Sequence, residues 1–342
     1  MNNYQGRWFR LSLMVLLSLA AGCSRVAERG SDTLTIGAYS VLREALHEGV
    51  LPVFAAHWEQ KTGRGVRFEE SYNSSGAQSR AIASGFDADV AMLALEGDLE
   101  RLVKAGLIRK DWNSGSTRGM VTRSLVVIGH REGNPLEIHD WDDLAKPGVD
   151  VLYPDPKTSG GARWNINAIY GAGLLNSGGD SDAARDLLAR VQANVVNMDG
   201  SGRQSVATFE RGVGDAVVTY ENELLLQTKM TGRNAPYVIP PATLLIEGPA
   251  AIVDASVDRH GNRALAQAFL DFLRSPEGQK IMADYGFRPL DQGVETDQAR
   301  ARKPLPPRLF TMADLGGWSK ITADVYESGG VWDRLFTGGR RQ

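Results

Sequence analysis

The chain of 342 residues contains a single cysteine, Cys23. A disulfide scaffold is therefore excluded, as is a metal site built on cysteine pairs, and the core alone must hold the fold. Basic charge is also in short supply: 38 Lys and Arg stand against 41 Asp and Glu, a net charge of −3. Nucleic acid calls for a basic face and is not an expected partner. The five histidines (His47, His57, His130, His139, His260) show no close helical pairing with carboxylates, so no metal ligation is expected. Aromatic residues make up 8% of the chain, and the tryptophans are scattered as packing residues are. The apolar stretch Leu11–Ala21 is too short for a comfortable membrane span. A phosphate loop is missing, because Gly160-Gly161 runs into Ala162-Arg163 rather than lysine and a hydroxyl. Asp199-Gly200-Ser201-Gly202 lacks the first glycine of a nucleophile elbow.

What is present begins at the N-terminus. Arg7 and Arg10 precede the Leu11–Ala21 apolar core, and small residues lead to Cys23, as in an export signal. The run Leu19-Ala20-Ala21-Gly22-Cys23 resembles a bacterial lipoprotein signal. That resemblance implies a signal segment over 1–23, a lipid on Cys23 that anchors the mature chain to a membrane, and a polar tether over 24–32. Without Arg7 and Arg10, 36 basic residues face 41 acidic ones, a net charge near −5.

From Leu34 onward, strand and helix patterns alternate. Leu34–Tyr39, Val66–Glu70, Asp89–Leu93, Ser124–Gly129, Val149–Tyr153, Asn194–Val196 and Ala216–Tyr220 read as strands. Helical patterns follow most of them, and Arg263–Arg274 carries an apolar face of Leu265, Phe269, Phe272 and Leu273. Ser275-Pro276 caps and starts a further helix. Alternation of this kind predicts an α/β fold on a parallel sheet, and the length accommodates two lobes. Tyr237–Pro240 and Ala250–Val253 read as connections returning towards the first lobe.

Glycine- and serine-rich clusters punctuate that pattern: Asn73-Ser74-Ser75-Gly76, Thr158-Ser159-Gly160-Gly161 and Asp199-Gly200-Ser201-Gly202, with Tyr220-Glu221-Asn222 just after a strand. A helix start leaves backbone N–H groups without intrahelical partners and carries partial positive charge, so it suits an anion. Ser40, Ser75, Ser159 and Tyr220 all follow or end strands, where ligands of open α/β sheets bind. Each cluster taken alone also serves as an ordinary cap or turn. Several together, without a basic cluster, suggest an oxyanion held by neutral donors.

Longer stretches carry a family resemblance. Phe54-Ala55-Ala56-His57-Trp58, Ile138-His139-Asp140-Trp141-Asp142-Asp143-Leu144, Arg211-Gly212-Val213-Gly214-Asp215 and above all Pro154-Asp155-Pro156-Lys157-Thr158-Ser159-Gly160-Gly161-Ala162-Arg163-Trp164-Asn165 occur in order along residues 34–336. In these segments the chain resembles the periplasmic sulfate/thiosulfate-binding proteins of ABC importers. The resemblance implies a two-lobed, type II periplasmic-binding-protein fold with the ligand in a dry cleft between lobes. Lobe 1 would comprise 33–121 plus 245–342, and lobe 2 would comprise 122–244.

Carried over residue by residue, the family's ligand contacts fall on Ser40, Ser75, Gly160, Gly161 and Gly202 as backbone donors and on the Ser159 hydroxyl. Tyr220 stands where the family often has tryptophan, and Ser40 where it often has aspartate. The matched positions offer no buried carboxylate to take a ligand's proton, which favours sulfate or thiosulfate over phosphate. The resemblance further implies ABC permease subunits as partners, a monomer, no cofactor, no catalysis, and a periplasmic location with or without the lipid. Alternatives are another oxyanion (molybdate, tungstate or phosphate), a sulfate-sensing subunit, and an ester hydrolase using Ser159 as nucleophile.

Overall fold

The computed structural model describes residues 32–291 and 304–337. The expected signal segment with Cys23 and tether residues 24–31 lie outside these ranges. Strand β1 (Asp32–Tyr39) pairs in parallel with β2 (Val66–Asn73) over eight residues and, on its other edge, with β3 (Val90–Met92). At the far end β7 (Ala216–Tyr220), β5 (Val151–Leu152) and β6 (Val195–Asn197) are also parallel. Strands β3, β5 and β7 are almost wholly apolar and buried, as sheets covered on both faces require, whereas β2 at one edge and β6 at the other are not.

The middle of the sheet departs from the parallel expectation. Strands β4 (Met120–His130) and β9 (Ala242–Ile252) are both 11 residues long and antiparallel, and they join the two parallel blocks. Strand β9 meets β3 through Ala250–Ile252 and β4 through Leu245–Pro249, while Val126–His130 of β4 pairs with β7. The strand order is β2-β1-β3-β9-β4-β7-β5-β6. Two short strands complete the sheet: β8 (Tyr237–Val238) on β4 and β10 (Arg308–Phe310) on β9.

Helices cover the sheet. The first, α1 (Leu51–Thr62), continues a π-helical turn over Ala45–Val50 and ends at Gly63, whose φ of 71° is the left-handed C-cap conformation. Then come α2 (Ser75–Ala83), α3 (Glu96–Lys104), α4 (Gly160–Asn176), α5 (Ser181–Ala193), α6 (Gly202–Glu210) and α7 (Glu221–Thr231). After β9 follow α8 (Asp254–His260), α9 (Arg263–Arg274), α10 (Pro276–Asp284), α11 (Gly317–Ile321) and α12 (Val331–Thr337). Helix α9 buries the predicted Leu265, Phe269, Phe272 and Leu273, and Phe269 meets Phe54 edge-on at 5.3 Å. Each such side chain contributes roughly 1.5–3 kcal/mol by leaving water. The predicted Ser275 cap forms, its Oγ accepting the Gly278 N–H at 3.1 Å.

The C-terminal residues take a different place from the one expected with residues 33–121. Gly171 of α4 leaves room for Phe310 and Leu315, Trp318 meets Trp164 edge-on at 4.8 Å, and Tyr326 donates to Asn167 Oδ1 at 2.8 Å. Residues 304–337 therefore pack on α4, the helix that follows β5.

Under the opposite end of β1, His260 bridges two carboxylates. Its Nδ1 lies 2.7 Å from Asp89 Oδ1 and its Nε2 lies 3.0 Å from Asp87 Oδ2. Asp89 is fully buried and also accepts the Thr35 N–H at 2.8 Å. The hydrogen bond to Asp89 raises the imidazole pKa above its ordinary 6.5, against partial desolvation. The folded state thus holds the proton more tightly than the unfolded chain. Its stabilisation is complete below the unfolded value and disappears as pH rises through the folded one. Thermal melts between about pH 5.5 and 8.5 should show stability declining across that window, with a flatter profile for His260→Gln. Parallel profiles for the two proteins would contradict this assignment.

Candidate functional site

Five chain turns converge where the two parallel blocks face one another. Ser40 opens a 3-10 turn (Ser40–Leu42) at the end of β1, and Ser75 is the first residue of α2. Ser159 is the N-cap of α4, its Oγ accepting the Ala162 N–H at 3.4 Å. Ser201 caps α6 in the same way, accepting from Gln204 N at 3.3 Å, so Gly202 begins that helix. Tyr220 ends β7 and precedes α7. Three helices of nine residues or more thus point unpaired N–H groups and their positive dipole ends at one place.

That place is a nearly closed cavity of about 20 Å³. Ser40, Ser75, Ser159, Gly161, Gly202 and Tyr220 all line it, so six of the seven predicted ligand positions come together. The seventh, Gly160, adjoins Ser159 at the start of α4, where a Cβ would lie 3.0 Å from Ala94 and 3.1 Å from the Ser75 side chain. The space has the scale of one compact ion. A far larger concavity, about 910 Å³ between α4, α5 and the C-terminal helices, is open to solvent. Enclosure, not volume, is what strengthens donor dipoles, so the small cavity is the candidate site.

Its polar groups are unevenly satisfied. The Ser75 hydroxyl is committed to protein, donating to Asp98 Oδ2 at 2.6 Å and accepting the Ala94 N–H at 2.9 Å. The Ser75 hydroxyl is therefore not available to a ligand. The Tyr220 hydroxyl is buried and has no protein partner. Burial pushes its pKa well above 10, with the nearby Tyr39, Glu223 and Asp98 adding to the effect. The phenol consequently keeps its proton and acts as a donor.

Sequence reasoning did not single out two wall residues, Asn165 and Glu223. Glu223 belongs to a cross-braced ion cluster. Arg203 Nε and Nη2 donate to its two oxygens at 2.9 and 3.0 Å, and Arg203 Nη1 donates to Glu44 Oε1 at 3.0 Å. Burial raises the Glu223 pKa and Arg203 pulls it back. Glu44 follows β1 whereas Arg203 and Glu223 lie on α6 and α7, so the cluster ties the two sides of the cavity together. The Glu221-Asn222-Glu223 run was visible, but helical periodicity alone does not say which residue faces the cavity. Among the described residues, no group of three or more His, Cys, Asp or Glu is placed to hold a metal, and no helix is long and apolar enough to cross a membrane.

A covered α/β sheet with a donor-lined cavity at its centre is the architecture of a solute-binding protein. The family model for bacterial extracellular solute-binding proteins matches residues 34–288, and the chain belongs to that family. It is 40% identical over 327 residues to a sulfate-binding protein of Synechococcus elongatus, covering 94% of this chain and 92% of that one. It is 31% identical over 332 residues to a thiosulfate-binding protein of Pseudomonas aeruginosa, covering 96% of this chain and 99% of that one. Among solved structures, the sulfate-binding protein SubI from Mycobacterium tuberculosis H37Rv superposes with a TM-score of 0.79 at 38% identity. That match covers 86% of this chain and 100% of the other. The resemblance read from the sequence and the α/β binding-protein fold are both borne out.

Proposed function

We propose that this protein captures sulfate or thiosulfate outside the cytoplasm and delivers it to the permease of an ABC importer, without catalysing a reaction. The observation that carries this reading is the convergence of three helix starts on a closed cavity whose Tyr220 hydroxyl has no protein partner. A fully ionised oxyanion supplies acceptors to each of those donors and needs no counter-ion. Relatives named for sulfate and thiosulfate binding support the ligand class. Ser40, Ser75, Gly160, Gly161 and Gly202 would donate backbone N–H groups, and Ser159 and Tyr220 their hydroxyls. A lipid on Cys23 would hold the protein, as a monomer, at a membrane facing the periplasm.

The lobes in this reading are 33–121 with 245–291, and 122–244 with 304–337, the last assignment following the packing of the C-terminal residues on α4. Strands β4 and β9 cross between them, and a dianion that contacts both lobes favours their closure by differential affinity.

Tyr220→Phe tests the donor set. Removing a neutral donor to a charged ligand should weaken sulfate binding by roughly tenfold to a hundredfold, read by titration calorimetry. Thermal stability of the free protein should stay level or rise, because an unpartnered buried hydroxyl has been removed. Unchanged sulfate affinity would remove Tyr220 from the site.

A further inference from the structure

Away from the central cavity, the open concavity between α4, α5 and the C-terminal helices combines an apolar floor with a cluster of cations. Leu174, Leu175, Leu315, Ile321 and Val331 line it, and Leu175 is 36% exposed. Its volume of about 910 Å³ is that of sites which hold drug-sized molecules. Arg185, Lys320 and Arg334 border the floor, against Asp314 and Asp324. Both acids are engaged within the protein. Asp314 Oδ2 accepts from the Thr311 N–H at 2.7 Å and from its hydroxyl at 2.8 Å, and Asp324 pairs with Lys320. Arg185 pairs with Asp182, whose side chain is 76% exposed, so that pair is solvated and weakly held. Arg334 is exposed and has no acidic partner among the described residues. On a chain of net charge −3, a groove with a surplus of cations runs against the surface as a whole.

Beside those cations lies Tyr170 of α4. It is 4% exposed and lines the concavity, and its hydroxyl makes no hydrogen bond among the described residues. Burial raises its pKa and Asp324 adds to that, while Lys320, Arg185 and Arg334 act in the other direction. All four charged groups that act on the hydroxyl line the same concavity, so the hydroxyl faces it as a protonated donor. A negatively charged head set there accepts from Tyr170 and is drawn by three cations. The rest of such a molecule covers Leu174, Leu175 and Leu315 and takes their surface out of water.

We propose that this concavity binds an organic anion, with a sulfonate, sulfate-ester or carboxylate head on an apolar body, at a site separate from the central cavity. An inorganic anion lacks the apolar body and gains little from the leucine floor. The central cavity, of about 20 Å³, has no room for an organic molecule. The two sites therefore select by different physics, enclosure by dipoles in one and an apolar floor under cations in the other.

The test is fluorescence titration of the purified full chain with anilinonaphthalenesulfonate, with inorganic sulfate present throughout to keep the central cavity out of the signal. The expected Kd is on the order of 10–100 µM. Phenylnaphthylamine, which has the same rings without the sulfonate, should bind at least about tenfold more weakly. Arg334→Glu changes an exposed residue and leaves the fold intact; it should weaken the sulfonate about tenfold and leave the neutral probe unchanged. Tyr170→Phe removes one donor and should cost the sulfonate roughly threefold to tenfold. Octanesulfonate and dihexanoylphosphatidylglycerol then compete as a free organic anion and as a soluble anionic lipid, and displacement by either supports the site and names the source of its ligand. Equal binding of the two probes would overturn the proposal, as would sulfonate binding that both variants leave unchanged or that neither competitor displaces. Absence of probe binding would overturn it as well. Sulfate affinity measured by calorimetry should be the same in Arg334→Glu and the parent, so the two sites are tested apart.

Discussion

Gly160→Val should reduce sulfate affinity by roughly tenfold to a hundredfold while leaving a folded protein. The glycine is needed for close approach and not for backbone freedom, since it lies inside the first turn of α4. A single Cβ there would sit 3.0 Å from Ala94 Cβ, 3.1 Å from Ser75 Cβ and 3.2 Å from Leu95 Cγ. Those neighbours belong to the opposite side of the cavity, on β1's side of the sheet. Across the same seam, a Cβ on Gly76 would lie 3.2 Å from the Thr158 carbonyl. Overpacking usually costs about 1–3 kcal/mol, and here it falls on the closed arrangement alone. Valine would wedge the two sides apart and separate the donors of α2 from those of α4 and α6. Calorimetry gives the affinity and a thermal melt confirms folding. Undiminished binding would mean that the two sides need not meet around the ligand.

The second large effect is expected at Arg203. Its side chain is 29% exposed, whereas that of Glu223 is 2% exposed. Truncation to alanine would leave a buried carboxylate unpaired and release Glu44 from the other side of the cavity. Removing one partner of a buried pair costs about 3–5 kcal/mol, and the partial exposure of Arg203 places this case at the lower end, about 3 kcal/mol. Urea unfolding of Arg203→Ala measures the loss, and adding Glu223→Gln should restore much of it by removing the stranded charge. The loss should also shrink as pH falls, because burial already raises the Glu223 pKa and protonation removes its charge. An Arg203→Ala protein as stable as the parent at neutral pH would mean that the cluster is solvated and contributes little.

The site was more legible than the sheet. Ser159, Gly160 and Gly161 stand out in sequence because N-capping and close approach both demand small residues, and the chemistry of an anion site is the chemistry of helix starts. Strand β1, helix α9 and the Ser275 cap were readable from periodicity for the same local reasons. Strand β9 was not: Gly248 and Pro249 interrupt its pattern, and its two ends pair with different neighbours, so the single period that marks a strand is broken. The antiparallel seam was hidden with it. Placement of residues 304–337 on α4 depends on Gly171 making room for Phe310, a contact between distant segments with no local signature. Asn165 and Glu223 escaped because a helix pattern identifies an amphipathic side but not which neighbour that side meets.

The central claim is that neutral donors enclose a sulfur oxyanion, and the direct test is titration of the purified full chain with sulfate and thiosulfate at two ionic strengths. The expected result is one site of about micromolar or tighter affinity for at least one of them. Affinity should change little between low and high salt, because enclosed dipoles are poorly screened, and Gly160→Val should weaken it by roughly tenfold to a hundredfold. Silence towards both anions, or binding that fades steeply with salt and is unchanged in Gly160→Val, would place the anion on an exposed charged surface and contradict the account.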